Sequence, residues 1–277
     1  MATMVRERLN RSPWWGLAQR PVHACAGACV PACSPPISII IPAFNEARYI
    51  RGTLESVARA AALYSGSTEV IVVDNHSTDA TAEIAGSLGA TVVYEPVNQI
   101  ARARNSGAAA ATARYLVFLD ADTTLEGDIL TKVATNLSTG WAIGGGAWTE
   151  PDCGPFSRLM FRILFNYLPA LKGMTVGPFL YCDRAAFQRA GGFDEELFAG
   201  EEFSLARRLR AEGRKNQRTW KIIRYDRRHR VVTSSRNLGR WGGLEMAAHN
   251  AHLIWRPHAR LRQKSCCEFW YRARRDE

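Results

Sequence analysis

The sequence predicts an α/β fold, a central and mostly parallel sheet flanked by helices. Three observations carry that expectation. Apolar, β-branched runs recur that read as strands buried on both faces, as in Ile37-Ser38-Ile39-Ile40-Ile41, Val70-Ile71-Val72-Val73 and Tyr115-Leu116-Val117-Phe118-Leu119. Segments with helical apolar spacing alternate with them. The connections are short, which implies parallel strands joined by right-handed crossovers.

Taken in order, residues 1–36 lack apolar periodicity and are rich in Pro, Gly and Ala, so a poorly ordered extension is expected there. The first strand is halted at Pro42. Ile50, Leu54 and Val57 follow at helical spacing, with Asn45 as the expected N-cap. The second strand ends in Asp74, and Asn75-His76-Ser77-Thr78-Asp79 turns into a helix carrying Ile84, Ala85 and Leu88 that Gly89 stops. Thr91-Val92-Val93-Tyr94 is the third strand. Residues 100–113 form an alanine-rich helix able to pack closely on the sheet, with Arg102, Arg104 and Asn105 near its start.

The fourth strand ends in Asp120-Ala121-Asp122. In open α/β sheets ligands bind beyond the carboxyl ends of the strands. Two carboxylates one residue apart in an extended segment face the same way, and can hold a hard divalent cation completed by water and phosphate oxygens. Beyond this point residues 128–138 read as a helix, and residues 141–148 as a strand whose glycines let backbone approach a ligand or another strand. Residues 156–171 read as an apolar helix with Arg158, Arg162 and Asn166 as one polar stripe. It suits either a core helix with a wet edge or a helix at an acceptor or membrane surface. Glu201 and Glu202 open a last helix with Leu205, Ala206 and Leu209 inward and Arg207, Arg208 and Arg210 outward, and its positive end favours carboxylates.

Of 277 residues, 47% are hydrophobic, enough for one large α/β domain or for a domain plus appendages. The net charge of +10 is uneven: from Phe203 onward there are 20 Lys and Arg against 6 Asp and Glu, whereas the earlier residues have 16 against 20. That basic third suits an anionic partner, whether lipid head groups, a phosphorylated acceptor or nucleic acid, or else is solvated surface. Aromatic Phe269, Trp270 and Tyr271 among arginines suit an interface with anionic lipid or, equally, ordinary packing of the tail onto the domain, and nucleic acid, suggested by charge alone, is the less favoured partner. No run of 18 apolar residues suggests a membrane span, and Trp14-Trp15-Gly16-Leu17-Ala18 is too short for a signal peptide. Seven scattered cysteines fit a reducing, cytoplasmic setting. Cys25, Cys29 and Cys33 repeat every four residues, but no His or Cys follows at a zinc-site spacing. His229 and His249 read as uncommitted. A nicotinamide-dependent oxidoreductase is disfavoured because no Gly-x-Gly-x-x-Gly follows the first strand.

Four segments in series resemble the family 2 glycosyltransferases of the GT-A fold. They are Ile39-Ile40-Ile41-Pro42-Ala43-Phe44-Asn45-Glu46; Val72-Val73-Asp74-Asn75-His76-Ser77-Thr78-Asp79; Asp120-Ala121-Asp122 with Arg104-Asn105-x-Gly107 upstream; and Gly200-Glu201-Glu202 before a helix. The likeness runs over residues 37–236. It implies a Rossmann-like nucleotide-sugar transferase domain there, followed by an amphipathic helix and a basic aromatic tail over 237–277.

The resemblance implies an inverting, metal-dependent transferase. It would move one sugar from a nucleotide-sugar donor, a UDP- or GDP-sugar, to a hydroxyl acceptor, lipid-linked or close to a membrane, at the inner face of that membrane. Pro42, Ala43, Phe44, Asn45 and Glu46 are then expected to line the nucleoside and Asp74 to contact the base. Arg104 is expected to reach the base or phosphates, and Asp122 with Asp120 to hold Mg2+ or Mn2+ at the diphosphate. The family's general base lies in a Glu-Asp pair. Here the pair is Glu201-Glu202, so Glu202 matches the base and Glu201 is the second candidate. Asn75 stands where many relatives carry a second acid. Asn237-Leu238-Gly239-Arg240-Trp241 only approximates the Gln-x-x-Arg-Trp motif of processive members, hence the expectation of single-sugar addition. A sugar-nucleotide-binding protein with impaired catalysis is the competing expectation.

Overall fold

The computed structural model of the chain describes residues 34–154, 158–159, 161–167, 177–224, 229–236 and 261–267. The cysteines at 25, 29 and 33, the expected helix over 238–255, His249 and the aromatic residues 269–271 lie outside the described residues.

Strand β1 (Ile37–Ala43) sits inside the main sheet because every one of its residues is buried. It pairs in parallel with β2 (Thr68–Asp74), which pairs in parallel with β3 (Thr91–Tyr94), and on its other side in parallel with β4 (Tyr115–Leu119). The alternation expected of a half-buried strand is absent, since both faces are covered. Ile39, Ile41, Val117 and Leu119 join the core formed with Ile50, Leu54 and Val57 of α1 (Ile50–Ala62). Ile40, Leu116 and Phe118 point the other way, into a second core with Ala101, Ala103 and Ala108. The three alanines lie on α3 (Ile100–Ala110), which follows α2 (Thr81–Ser87) and β3 in the chain. Their small side chains bring α3 close to the sheet: a Cβ on Gly107 would lie 2.4 Å from Ile40 Cγ2. Helix α3 ends at Ala110 rather than at residue 113, because Ala111 turns to an extended conformation.

Past β4 the chain does something that apolar periodicity does not signal. A short strand, β5 (Thr123–Gly127), precedes α4 (Ile129–Ser138), β6 (Ala142–Ala147) and β7 (Thr149–Pro151). Strand β8 (Phe179–Asp183), fully buried, then inserts between β4 and β6, antiparallel to both. Helix α5 (Arg184–Arg189) and helix α6 (Glu201–Lys215) follow, and β9 (Thr219–Ile223) closes the sheet, parallel to β6. The strand order is β3-β2-β1-β4-β8-β6-β9, and β5, β10 (His229–Thr233) and β7 form a separate three-stranded sheet. Periodicity reports burial, not direction, so β8 was invisible as an antiparallel insertion and β5 as a strand at all. The glycines of β6 serve a neighbouring strand: a Cβ on Gly145 would fall 1.7 Å from the Lys221 carbonyl oxygen of β9.

Of the polar stripe, Asn166 is buried while Arg158 and Arg162 are half-buried. Residues Arg162–Tyr167 form a π-helical turn against β7, where buried Asn166 donates to the Thr149 carbonyl (2.9 Å) and accepts from its N–H (3.2 Å). Arg162 pairs with buried Glu150. The apolar Leu159, Ile163 and Tyr167 are exposed instead.

Gly107→Ala should overpack the α3–β1 contact and cost about 1–3 kcal/mol, because Ile40 and Val73 side chains lie in the way. Thermal melts monitored by circular dichroism check this; an unchanged melting temperature would refute the close contact.

Candidate active site

The residues singled out from the sequence gather at the carboxyl ends of β1, β2 and β4. Two loops there are laced together. The Asn75 N–H donates to the Ala43 carbonyl (2.8 Å), the Asn45 N–H to Ser77 Oγ (3.0 Å), and the Thr78 N–H to Asn45 Oδ1 (2.7 Å). Asn45 adopts a left-handed conformation with φ 53°, so it is not the N-cap of α1; its amide spans to the facing loop instead. Pro42 and Ala43 are buried, and Phe44 and Asn45 half-buried. Asp74 accepts from the Ser77 N–H (3.0 Å), closing an Asx-type turn at the end of β2.

Asp120 and Asp122 do not lie in an extended segment. The Thr123 N–H donates to the Asp120 carbonyl (3.1 Å), so the chain turns at once, and each carboxylate meets its own arginine. Arg236, just past β10, donates to both oxygens of Glu46 (2.9 and 2.7 Å) and lies 2.9 Å from Asp122 Oδ2, with its guanidinium 4.5 Å from the centre of the Tyr49 ring. Glu46 is completely buried. The pairing of Arg236 with Glu46 spans 190 residues, and no local pattern in the sequence marks it.

The second arginine, Arg104 on α3, is buried. Its Nη1 donates to Glu201 Oε1 (2.8 Å) and Glu202 Oε1 (2.9 Å), and its Nη2 to Asp120 Oδ1 (2.9 Å). Glu201 and Glu202 stand in the first turn of α6, after Gly200 at φ 75°. One guanidinium cannot neutralise three carboxylates. Burial first, then the charge of Glu202, push the Glu201 carboxyl up to about 8 against the pull of Arg104. Its Oε2 is buried without a partner, and a neutral carboxyl costs less there than a charged one. Glu202, 21% exposed at its side chain, is the one of the pair that reaches the surface.

Among the described residues no group of three or more His, Cys, Asp or Glu side chains is arranged to hold a metal ion. The pair Asp120 and Asp122 nonetheless suits a magnesium-type ion, which takes one or two carboxylates and fills its other positions with water and substrate phosphates. His229 lies away from these residues, 3.1 Å from Asp128.

Arg236→Met should remove both guanidinium hydrogen bonds to buried Glu46 and cost about 3–5 kcal/mol, with Glu46→Gln in the same protein recovering part of it; chemical denaturation of wild type and the two variants measures both. The folded Glu201 value lies above its ordinary 4.5, so folding takes up a proton. The resulting stability is complete below pH 4.5 and is lost as pH rises through about 8. Melting temperatures of wild type and Glu201→Gln across pH 5–9 should therefore converge at low pH and diverge at high pH, wild type falling further.

Comparison with known proteins fits this geometry. The model of glycosyl transferase family 2 matches residues 38–191. Validoxylamine A glucosyltransferase of Streptomyces hygroscopicus subsp. jinggangensis is 27% identical over 249 residues, covering 73% of this chain and 58% of that one. A PGL/p-HBAD biosynthesis glycosyltransferase of Mycobacterium bovis is 38% identical over 108 residues, covering 36% and 41%. The chain thus spans about half the length of the curated relatives it matches. Two solved structures share the fold: S. aureus TarS 1–349 with UDP-GlcNAc (TM-score 0.54, 21% identity, covering 72% of this chain and 58% of that one), and the mannosyltransferase PcManGT from Pyrobaculum calidifontis with GDP-Man and Mn2+ (TM-score 0.57, 19% identity, 98% and 81%). A family match over more than half of the chain, on a GT-A sheet with its acidic residues at the strand ends, means that this protein belongs to glycosyl transferase family 2.

Proposed function

We propose that the protein transfers a single sugar, with inversion, from a UDP- or GDP-sugar to a hydroxyl acceptor that is lipid-linked or near a membrane. The observation that carries the reading is the convergence of Asp74, Asp120, Asp122 and the partly exposed Glu202 at one mouth of the sheet, where a β-strand fold receives ligands. The loop from Pro42 to Asn45 and Asp74 would take the nucleoside, with the expected Glu46 buried behind the loop and held by Arg236. Asp122 and Asp120 would hold Mg2+ or Mn2+, which when bound stabilises charge on the departing diphosphate.

Glu202 would take the proton of the acceptor hydroxyl as that oxygen attacks the anomeric carbon. The bond from that carbon to the phosphate oxygen breaks, its electron pair leaving with the nucleoside diphosphate. Glu202 stands in the first turn of α6, where Arg104 donates to its Oε1 (2.9 Å) and fixes the carboxylate in place. Exposed Leu159, Ile163 and Tyr167 support an acceptor presented at a lipid surface. No helix among the described residues is long and apolar enough to cross a membrane. A second reading, donor binding without turnover, draws on the same contact: one oxygen of Glu202 is already engaged by a guanidinium at 2.9 Å.

A thermal-shift screen against UDP, GDP and their sugars, with and without Mg2+ or Mn2+, tests the donor site. A nucleotide at 100 times its Kd should stabilise the protein by about 2.7 kcal/mol, with metal required, and Asp122→Asn should abolish the effect. Glu202→Gln should keep the shift and lose about 10²–10⁴-fold in turnover. Absence of any shift in folded protein would refute the reading. Unchanged turnover in Glu202→Gln would refute Glu202 as the base, and a wild type that binds without turnover would favour the second reading.

A further inference from the structure

Resting on the transferase reading, we propose that Arg104 is a positioning residue for the base carboxylate and not a ligand of the donor. It grips one oxygen of Glu202 and leaves the other for the acceptor hydroxyl.

The bonding of Arg104 carries this. A guanidinium offers five N–H groups in a fixed plane. Both hydrogens of Nη1 are taken, one by Glu201 and one by Glu202, and Nη2 gives a third to Asp120. Nε is buried with no partner, and the Phe193 ring covers the guanidinium at 5.2 Å. With 3% of its side chain exposed, Arg104 has almost no surface left for a nucleobase or a diphosphate.

The residues around Arg104 serve the same end. Asn105 donates to the Phe193 carbonyl (3.0 Å) and accepts from the Phe193 N–H (2.8 Å), fixing the loop that leads to α6. Gln99 donates to the Glu195 and Leu197 carbonyls of that loop (2.6 and 3.0 Å). Gly107 seats α3 closely against Ile40 and Val73 of the sheet. The segment 99–107 is thus turned toward the start of α6.

The contact also accounts for glutamate at position 202. Its extra methylene relative to aspartate gives the carboxylate reach to bind Arg104 through Oε1, while Oε2 makes no hydrogen bond among the described residues. Glu201, buried at 1% exposure, backs the arrangement from the core side and is the wrong one of the pair to meet a substrate.

The test is Arg104→Lys in the full chain, which keeps the charge and loses the fork. Two quantities are read: the affinity for UDP and GDP with Mn2+ by calorimetry, and kcat and KM for donor hydrolysis, followed as nucleoside diphosphate released from UDP-glucose, UDP-N-acetylglucosamine and GDP-mannose. The expected result is nucleotide affinity within about twofold of wild type and kcat per folded protein lowered about 100-fold, with donor KM little changed. A tenfold or greater loss of nucleotide affinity would overturn the proposal in favour of a donor ligand. An unchanged kcat would overturn it in favour of a purely structural ion pair. If Arg104→Lys does not fold, the double variant Arg104→Met, Glu201→Met replaces the buried pair with apolar side chains, an exchange proteins commonly tolerate, and the same outcomes decide. Wild-type protein that binds neither UDP nor GDP would overturn the transferase reading itself, an outcome distinct from the other two.

Discussion

One buried guanidinium shared by three carboxylates is the constraint on which the rest of this molecule depends. Arg104 draws the end of β4 and the start of α6 to within 3 Å of α3, although the residues involved are 16 to 98 positions apart. Burying such a group is costly unless its hydrogen bonds are satisfied, and removing it would strand the carboxylates. The elements around it are therefore obliged to arrive together. Gly200 supplies the left-handed turn that aims the first turn of α6 inward, and the Asn105 clamp fixes the loop before it.

A second guanidinium organises the other half of the mouth. Arg236 ties the end of β10 to Glu46 in the loop after β1 and to Asp122 beyond β4. The two acids of the Asp-x-Asp segment, one residue apart in sequence, thus belong to two different networks, Asp120 to that of Arg104 and Asp122 to that of Arg236. A cation bound between them would meet carboxylates already ordered by arginines, and would compete with Arg236 for Asp122.

The sheet that carries both networks is an apolar construction. Consecutive residues of β1 and β4 enter opposite cores, which is why these strands read as unbroken apolar runs. The βα units up to β4 were legible because each has a local cause: a β-branched run, a polar turn, a helix with apolar spacing. β5 and β8 were not. Thr123–Gly127 carries too few apolar residues to register, and the burial of Phe179–Asp183 depends on neighbours 60 to 68 residues earlier in the chain. The partners of the polar stripe of 158–166 were not legible for a related reason, since those on β7 are set by the fold and not by spacing.

The candidate site divides along the same line. Short-range chemistry alone determined that acids would stand at the ends of β2 and β4 and at the head of α6, because an apolar run followed by Asp or Glu can end in few other ways. The family resemblance rested on those positions. What only the tertiary structure decided is which charge meets which: that Arg104 faces Glu201, Glu202 and Asp120, that Arg236 returns to Glu46, and that Glu201 is buried while Glu202 reaches the surface. Charge pairing in a dry interior is fixed by distance in space, and the packing of the two cores sets that distance.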